Sequence, residues 1–150
     1  IFKIFHAGKT VTAENFPPTS YTAGDNVVAY ISNDGFFKIY YADSIYNLGY
    51  FRPDYQVGDN VIGFRDAGGY FRVFYKGEIT QLDSYYPENY SVQYNSLVYQ
   101  NRARVLRMFT AGEVYDVTSA ETENWELNYD VLRYRIGNNF YRIFYNGQEN

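Results

Sequence analysis

Five cationic side chains recur along this chain at nearly one spacing: Lys3, Lys38, Arg72, Arg107 and Arg142. Each lies second in a four-residue run of aromatic or Leu, basic, aliphatic or Met, and aromatic. Five cations at equivalent places could form a basic ring that receives an acidic partner. The column also has a structural use. Lys38, Arg72, Arg107 and Arg142 each follow an aromatic residue, Tyr30, Phe64, Tyr99 and Tyr134, by eight positions, which makes them facing residues in a hairpin with a short loop. A cation over such a ring contributes roughly 0.5 to 1 kcal/mol when exposed. A second column, Tyr21, Tyr55, Tyr90 and Trp125, offers flat rings on which sugars stack, or which pack one sheet on the next. A sugar site also needs convergent polar groups to fix orientation, and no fixed set accompanies these rings.

Other chemistry finds less support. His6 is the sole histidine, and its column reads His6, Tyr41, Tyr75, Thr110, Tyr145, a strand position otherwise held mostly by tyrosine. Gly24-Asp25-Asn26 and Gly58-Asp59-Asn60 have the look of calcium ligands, but the third copy is Gln93-Tyr94-Asn95, so turn chemistry accounts for them better. The acidic group Glu121, Glu123 and Glu126 occurs in one copy and reads as a solvated loop. The expectation is no catalytic residue, no metal and no cofactor.

The elements that position these columns follow from the repeat. Phe2-Lys3-Ile4-Phe5, Phe37-Lys38-Ile39-Tyr40, Phe71-Arg72-Val73-Phe74, Leu106-Arg107-Met108-Phe109 and Tyr141-Arg142-Ile143-Phe144 are separated by 35, 34, 35 and 35 residues. Pro18, Pro53 and Pro87 align with Thr122, and the apolar pairs Val27-Val28, Val61-Ile62, Ser96-Leu97 and Val131-Leu132 keep the register. Phe71 to Tyr75 predicts a strand, with a turn at Lys76-Gly77; that turn position is Gly8, Asp43, Gly77, Gly112 and Gly147 down the copies, all tolerant of positive φ. The run ending at Ile31 and the strand at Phe37 predict a hairpin whose loop ends on Gly35, Gly69, Arg104 or Asn139. Arg104 is the departure, and its loop is expected to differ. No segment has a 3.6-residue period, so helices are expected to be nearly absent.

Composition agrees with half-buried sheet. The 150 residues include 19 Tyr and 12 Phe, and 46% are hydrophobic. The formal charge of −4 gives no basic footprint for nucleic acid. Without cysteine there is no disulfide, and no apolar run reaches the roughly 18 residues of a membrane helix.

About 35 residues with three clear strands and one short one describe a compact propeller blade. The fold class expected is all-β, a β-propeller-like array of about four small antiparallel blades plus the first strand of a fifth, part of a larger propeller. The units run approximately over 2–36, 37–70, 71–105 and 106–140, with a partial unit at 141–150 in one repeat domain.

The pattern F-[KR]-[IV]-[FY]-x-x-G followed by P-x-x-Y-x-x-G-D-N-x-[VI] resembles Tyr-rich propeller repeats of secreted or periplasmic proteins in Bacteroidota, and it covers the whole chain. The resemblance implies a periplasmic or secreted location, a protein partner and a role as an accessory or plug-type subunit of an outer-membrane secretion complex such as the type IX system. The leading functional expectation is a non-enzymatic interaction or scaffold module of the bacterial envelope. The alternative is a carbohydrate-binding lectin-like propeller that uses the Tyr21, Tyr55, Tyr90, Trp125 column.

Overall fold

The computed structural model describes residues 1–150 apart from Asn139, and for Glu123 only its place in a strand. Its described residues form 18 strands and no helix. β1 (Phe2–His6) and β2 (Lys9–Glu14) make a two-stranded first sheet. Four meanders of four antiparallel strands follow. The second sheet is β3 (Ser20–Ala23), β4 (Val27–Ile31), β5 (Phe36–Tyr41) and β6 (Ser44–Tyr50). The third is β7 (Tyr55–Val57), β8 (Val61–Arg65), β9 (Phe71–Tyr75) and β10 (Glu78–Asp83). The fourth is β11 (Tyr90–Gln93), β12 (Ser96–Gln100), β13 (Leu106–Thr110) and β14 (Glu113–Thr118). The fifth is β15 (Thr122–Asn128), β16 (Val131–Ile136), β17 (Phe140–Tyr145) and β18 (Gln148–Glu149). The five copies of the Phe-Lys-Ile motif thus sit on β1, β5, β9, β13 and β17, one per sheet. In each four-stranded sheet the motif is the third strand, so a unit counted from the motif begins in the middle of a sheet.

Turn chemistry explains the meander. At the turn after the motif strand both central residues have positive φ, as in Ala7 (52°) with Gly8 (77°) and Lys76 (49°) with Gly77 (83°). Two left-handed residues in succession match the right-handed twist of the flanking strands, and each turn closes a tight hairpin. The loop before the motif strand is equally uniform. Gly35, Gly69 and Arg104 have φ of 93°, 89° and 63°, and their amides donate to the carbonyls of Ser32, Asp66 and Asn101. The expected departure at Arg104 is therefore absent. Asn101 Oδ1 accepts from the Val105 amide at 2.9 Å, as Asp66 Oδ1 accepts from the Tyr70 amide, and this side-chain clamp holds Arg104 in the glycine conformation. The equivalent Asn139 lies outside the described residues.

The acidic stretch Glu121 to Asn124 is mostly strand, not loop: β15 begins at Thr122, which pairs with Ile136. Proline stands at this place in the earlier copies and has no N–H for a ladder, whereas Thr122 has one, and the strand lengthens.

Adjacent sheets stack face to face and enclose four apolar clusters, one at each seam. Val27, Ala29, Phe37 and Ile39 of the second sheet meet Ile62, Phe64 and Phe74 of the third. Val61, Phe71 and Val73 of the third meet Leu97, Tyr99 and Phe109 of the fourth. Val98, Leu106 and Met108 then meet Leu132, Tyr134 and Phe144. The first sheet joins through Ile4 against Val28, Tyr30 and Tyr40. The backbone just after β3 runs close against that just after β7: a Cβ on Gly24 would lie 1.9 Å from the Gly58 carbonyl oxygen, which is why glycine follows β3.

Candidate functional site

The recurring cation, apart from the exposed Lys3, and most of the recurring aromatic rings lie at the seams between sheets. Register places Tyr30 opposite Lys38, Phe64 opposite Arg72, Tyr99 opposite Arg107 and Tyr134 opposite Arg142, as the spacing implies. The contact they make is different from a cation over a ring. Cation–ring contacts join other partners, with Arg102 4.0 Å over Tyr85 and Arg133 5.1 Å over Tyr141. Where the ring is a tyrosine, the cross-strand pair meets through its hydroxyl and a carboxylate.

At the first seam Glu14, the last residue of β2, crosses to the next sheet. It accepts from the Tyr30 hydroxyl at 3.0 Å and from Lys38 Nζ at 3.0 and 3.1 Å. Both charged side chains are more than four-fifths buried, with side-chain exposures of 16% and 17%, so the pair is shielded from solvent screening. Burial, reinforced by the Glu14 carboxylate, pushes the Tyr30 phenol well above its ordinary range. At the third seam Asp83, the last residue of β10, takes the same place. Tyr99 donates to the Leu82 carbonyl at 2.9 Å and approaches Asp83 Oδ2 at 3.2 Å. Arg107 Nη1 lies 3.4 Å from both the Leu82 carbonyl and the Tyr99 hydroxyl, while its Nε bonds Asp116 at 2.6 Å. Burial pushes the Tyr99 phenol up to about 12, against the pull of Arg107.

The second and fourth seams lack that carboxylate. Glu14, Gly49, Asp83 and Thr118 stand at one register position, opposite Phe2, Phe37, Phe71 and Leu106. Where Gly49 replaces the acid, the next sheet presents Phe64 instead of tyrosine, and Arg72 turns to Asp66 of its own sheet. Burial alone would raise the Asp66 carboxyl, but the bonds from Arg72 and from the Tyr70 and Gly68 amides hold it below its ordinary value. At the fourth seam Tyr134 and Arg142 are both met by Glu149 on β18 of their own sheet.

The Tyr21, Tyr55, Tyr90, Trp125 column also serves packing. The Tyr55 ring lies 5.5 Å from Phe37, and its hydroxyl is 3.4 Å from Thr22 Oγ1. Tyr90 is 7% exposed, with rings of Phe71 and Tyr86 at 4.9 and 5.4 Å, and it donates to the Gly63 carbonyl. Trp125 packs at the edge of the fourth-seam cluster. Tyr21 is the open member at 63% exposure, 5.8 Å from Phe2.

A polar ladder runs from β1 along the turns that follow β3, β7 and β11. His6 Nε2 donates to Asn26 Oδ1 at 2.8 Å, and Asn26 Nδ2 donates to Asn60 Oδ1. Further along, Asn95 Nδ2 donates to Asp130 Oδ2 at 3.1 Å, and the Ser96 hydroxyl donates to Asp130 Oδ1. The column Asn26, Asn60, Asn95, Asp130 was visible as a repeat. The carboxylates Glu14 and Asp83 were hidden, because their column alternates with Gly49 and Thr118.

Among the described residues no group of three or more His, Asp or Glu could hold a metal ion, and no helix is long and apolar enough to cross a membrane. No buried side-chain nitrogen or oxygen among them lacks a hydrogen-bond partner.

No curated protein matches the chain. Two designed proteins of known structure align with it. The computationally designed Ika4 protein has a TM-score of 0.42 at 13% identity, over 89% of this chain and 93% of Ika4. The designed Ika8 protein has a TM-score of 0.42 at 16% identity, over 88% of this chain and 47% of Ika8. Meanders of four strands, stacked through the same aromatic seam, are blades of a propeller. The family model for the 10-bladed beta propeller domain matches residues 1–150, and the chain belongs to that family.

Proposed function

We propose that this chain is a non-enzymatic protein-interaction module of a bacterial cell envelope, acting as an accessory subunit of an outer-membrane secretion complex. One observation carries the reading. Most of the recurring ionisable and aromatic side chains are used inside the seams, which fix the sheets, whereas the hairpin tips between the second and third strands differ from sheet to sheet. Those tips hold Asn33-Asp34, Ala67-Gly68 and Arg102-Ala103 on one shared backbone conformation. A rigid array with tips of differing chemistry is a scaffold for recognition. The envelope location and the secretion complex rest on the resemblance of the Tyr-rich repeat.

The test is photo-crosslinking in intact cells of the source bacterium, with the crosslinker placed at Arg102 on a tip and, as a control, at Lys9 on an edge strand. The expected product is a defined adduct to an outer-membrane protein from position 102 only. Fractionation with the cytosol, or no position-dependent adduct, would overturn the reading. Saturable glycan binding lost in Trp125→Ala would instead favour the lectin alternative.

A further inference from the structure

The second seam is missing a charge that its neighbours possess. The first and third seams each bring a carboxylate, Glu14 or Asp83, from the end of one sheet to the tyrosine and cation of the next. At the second seam that position is Gly49, and the tyrosine is replaced by the buried Phe64, but the cation is retained as Arg72. The Phe51 ring packs 3.6 Å from where a Cβ on Gly49 would stand, but it leaves Arg72 open to a cleft. A cavity of about 400 Å³ lies there, walled by Leu48, Phe51, Phe64 and Ile79, with Arg72 and Asp66 at its polar side. A second cavity of about 370 Å³ adjoins it through Phe51 and Asp66 and adds Arg52 and Arg65.

Asp66 does not use up the cation. Its Oδ1 accepts the Gly68 and Tyr70 amides at 2.9 Å, and its Oδ2 takes Arg72 Nε. That leaves the two NH2 groups of a planar fork whose geometry suits a carboxylate. Three arginines against Asp54 and Asp66 also leave the two cavities together with an excess of positive charge on a chain that is acidic overall.

The geometry points to this seam as a binding site for a carboxylate carried on an apolar or aromatic stem, which supplies from outside the group that Glu14 and Asp83 supply from within. The stem lies against Phe51, Phe64 and Ile79, and the carboxylate meets Arg72. An open cleft of this volume is large enough to seat a small ligand or one large side chain. The inference does not depend on where in a cell the protein works.

Calorimetric titration of the purified chain tests it with three probes: acetyl-Ala-Ala-Phe with a free C-terminus, the same peptide amidated, and 4-phenylbutyrate. The free acid is expected to bind at least about tenfold more tightly than the amide, because charge-assisted bonds to arginine are lost on amidation. Arg72→Gln removes the same discrimination. Ile79→Trp, at a position 40% exposed, fills the cavity with the Arg72–Asp66 pair intact and abolishes binding of the acid. It decides the matter if Arg72→Gln fails to fold. Phenylbutyrate binding as tightly as the peptide identifies a free small acid as the ligand, and weaker binding identifies a peptide terminus. Equal binding of acid and amide, undiminished binding in Ile79→Trp, or no saturable binding of either acid at millimolar concentration overturns the inference.

Discussion

The second and third seams share an apolar half and differ in their polar half. In both, a fully buried phenylalanine at the start of the motif strand, Phe37 or Phe71, is ringed by three aromatic neighbours at 4.9 to 5.6 Å. At the third seam a carboxylate and a hydroxyl join the sheets across that core, and at the second both are gone. Their joint loss is physically coherent. A buried hydroxyl without an acceptor costs about 1 to 3 kcal/mol, so a seam that drops the acid is best served by dropping the hydroxyl too. Aromatic packing is thus the general adhesive between sheets, and the polar latch is an addition that individual seams carry or lack.

The largest effect that sharpens the comparison is on the shared half. Phe37→Ala and Phe71→Ala are each expected to destabilise by about 3 to 5 kcal/mol in urea titration, and a large disparity would break the claim that the apolar halves are equivalent. On the polar half the seams should part. Tyr99→Phe is expected to cost about 1 to 2 kcal/mol, whereas Phe64→Tyr returns no stability because Gly49 offers its hydroxyl no carboxylate. A gain from Phe64→Tyr equal to the loss from Tyr99→Phe would show that the acid is not what distinguishes them.

The alkaline limb of stability reads the same contrast. Folded Tyr99 titrates near 12, while in the unfolded chain it ionises near its ordinary value of about 10. The unfolded state therefore sheds its proton first, and the contribution present below about pH 10 is lost as pH rises toward about 12. Melting curves should show a shallower loss across that window in Tyr99→Phe and no change of slope in Phe64→Leu. The smallest effect comes from a pair outside these seams. Glu126 and Arg133 are 2.8 Å apart but more than half exposed, and Glu126→Gln should cost no more than about 1 kcal/mol.

Much of this was legible in the residues. The strand Phe71–Tyr75, the facing pairs such as Tyr99 and Arg107, and the left-handed turn residues follow from alternation, spacing and φ preference. The cut between sheets was not, because a period has no starting point: the motif that announces the repeat lies inside each sheet, and the links at 15–19 and 51–54 carry weaker signals. The run Glu121 to Asn124 reads as loop from its charge, and only the missing proline at Thr122 betrays a strand. Arg104 reads as an exception because the residue type is unfavourable there, yet Asn101 supplies the hydrogen bond that overrides it. The latch residues Glu14 and Asp83 escaped notice since they recur at every second unit, which looks like noise until the seams are seen in space.

That every-second-unit pattern limits how such a chain can change length. Each four-stranded sheet is drawn from one unbroken stretch, so excising or duplicating a stretch breaks no ladder hydrogen bond within a sheet. It does change which neighbours meet. Removal of the third sheet would bring Gly49 against Tyr99 and Arg107 and take away the Asp83 carboxylate, whereas removal of the third and fourth together would bring it against Tyr134, which has Glu149 in its own sheet. Gains and losses in pairs keep donors and acceptors matched, and single steps do not.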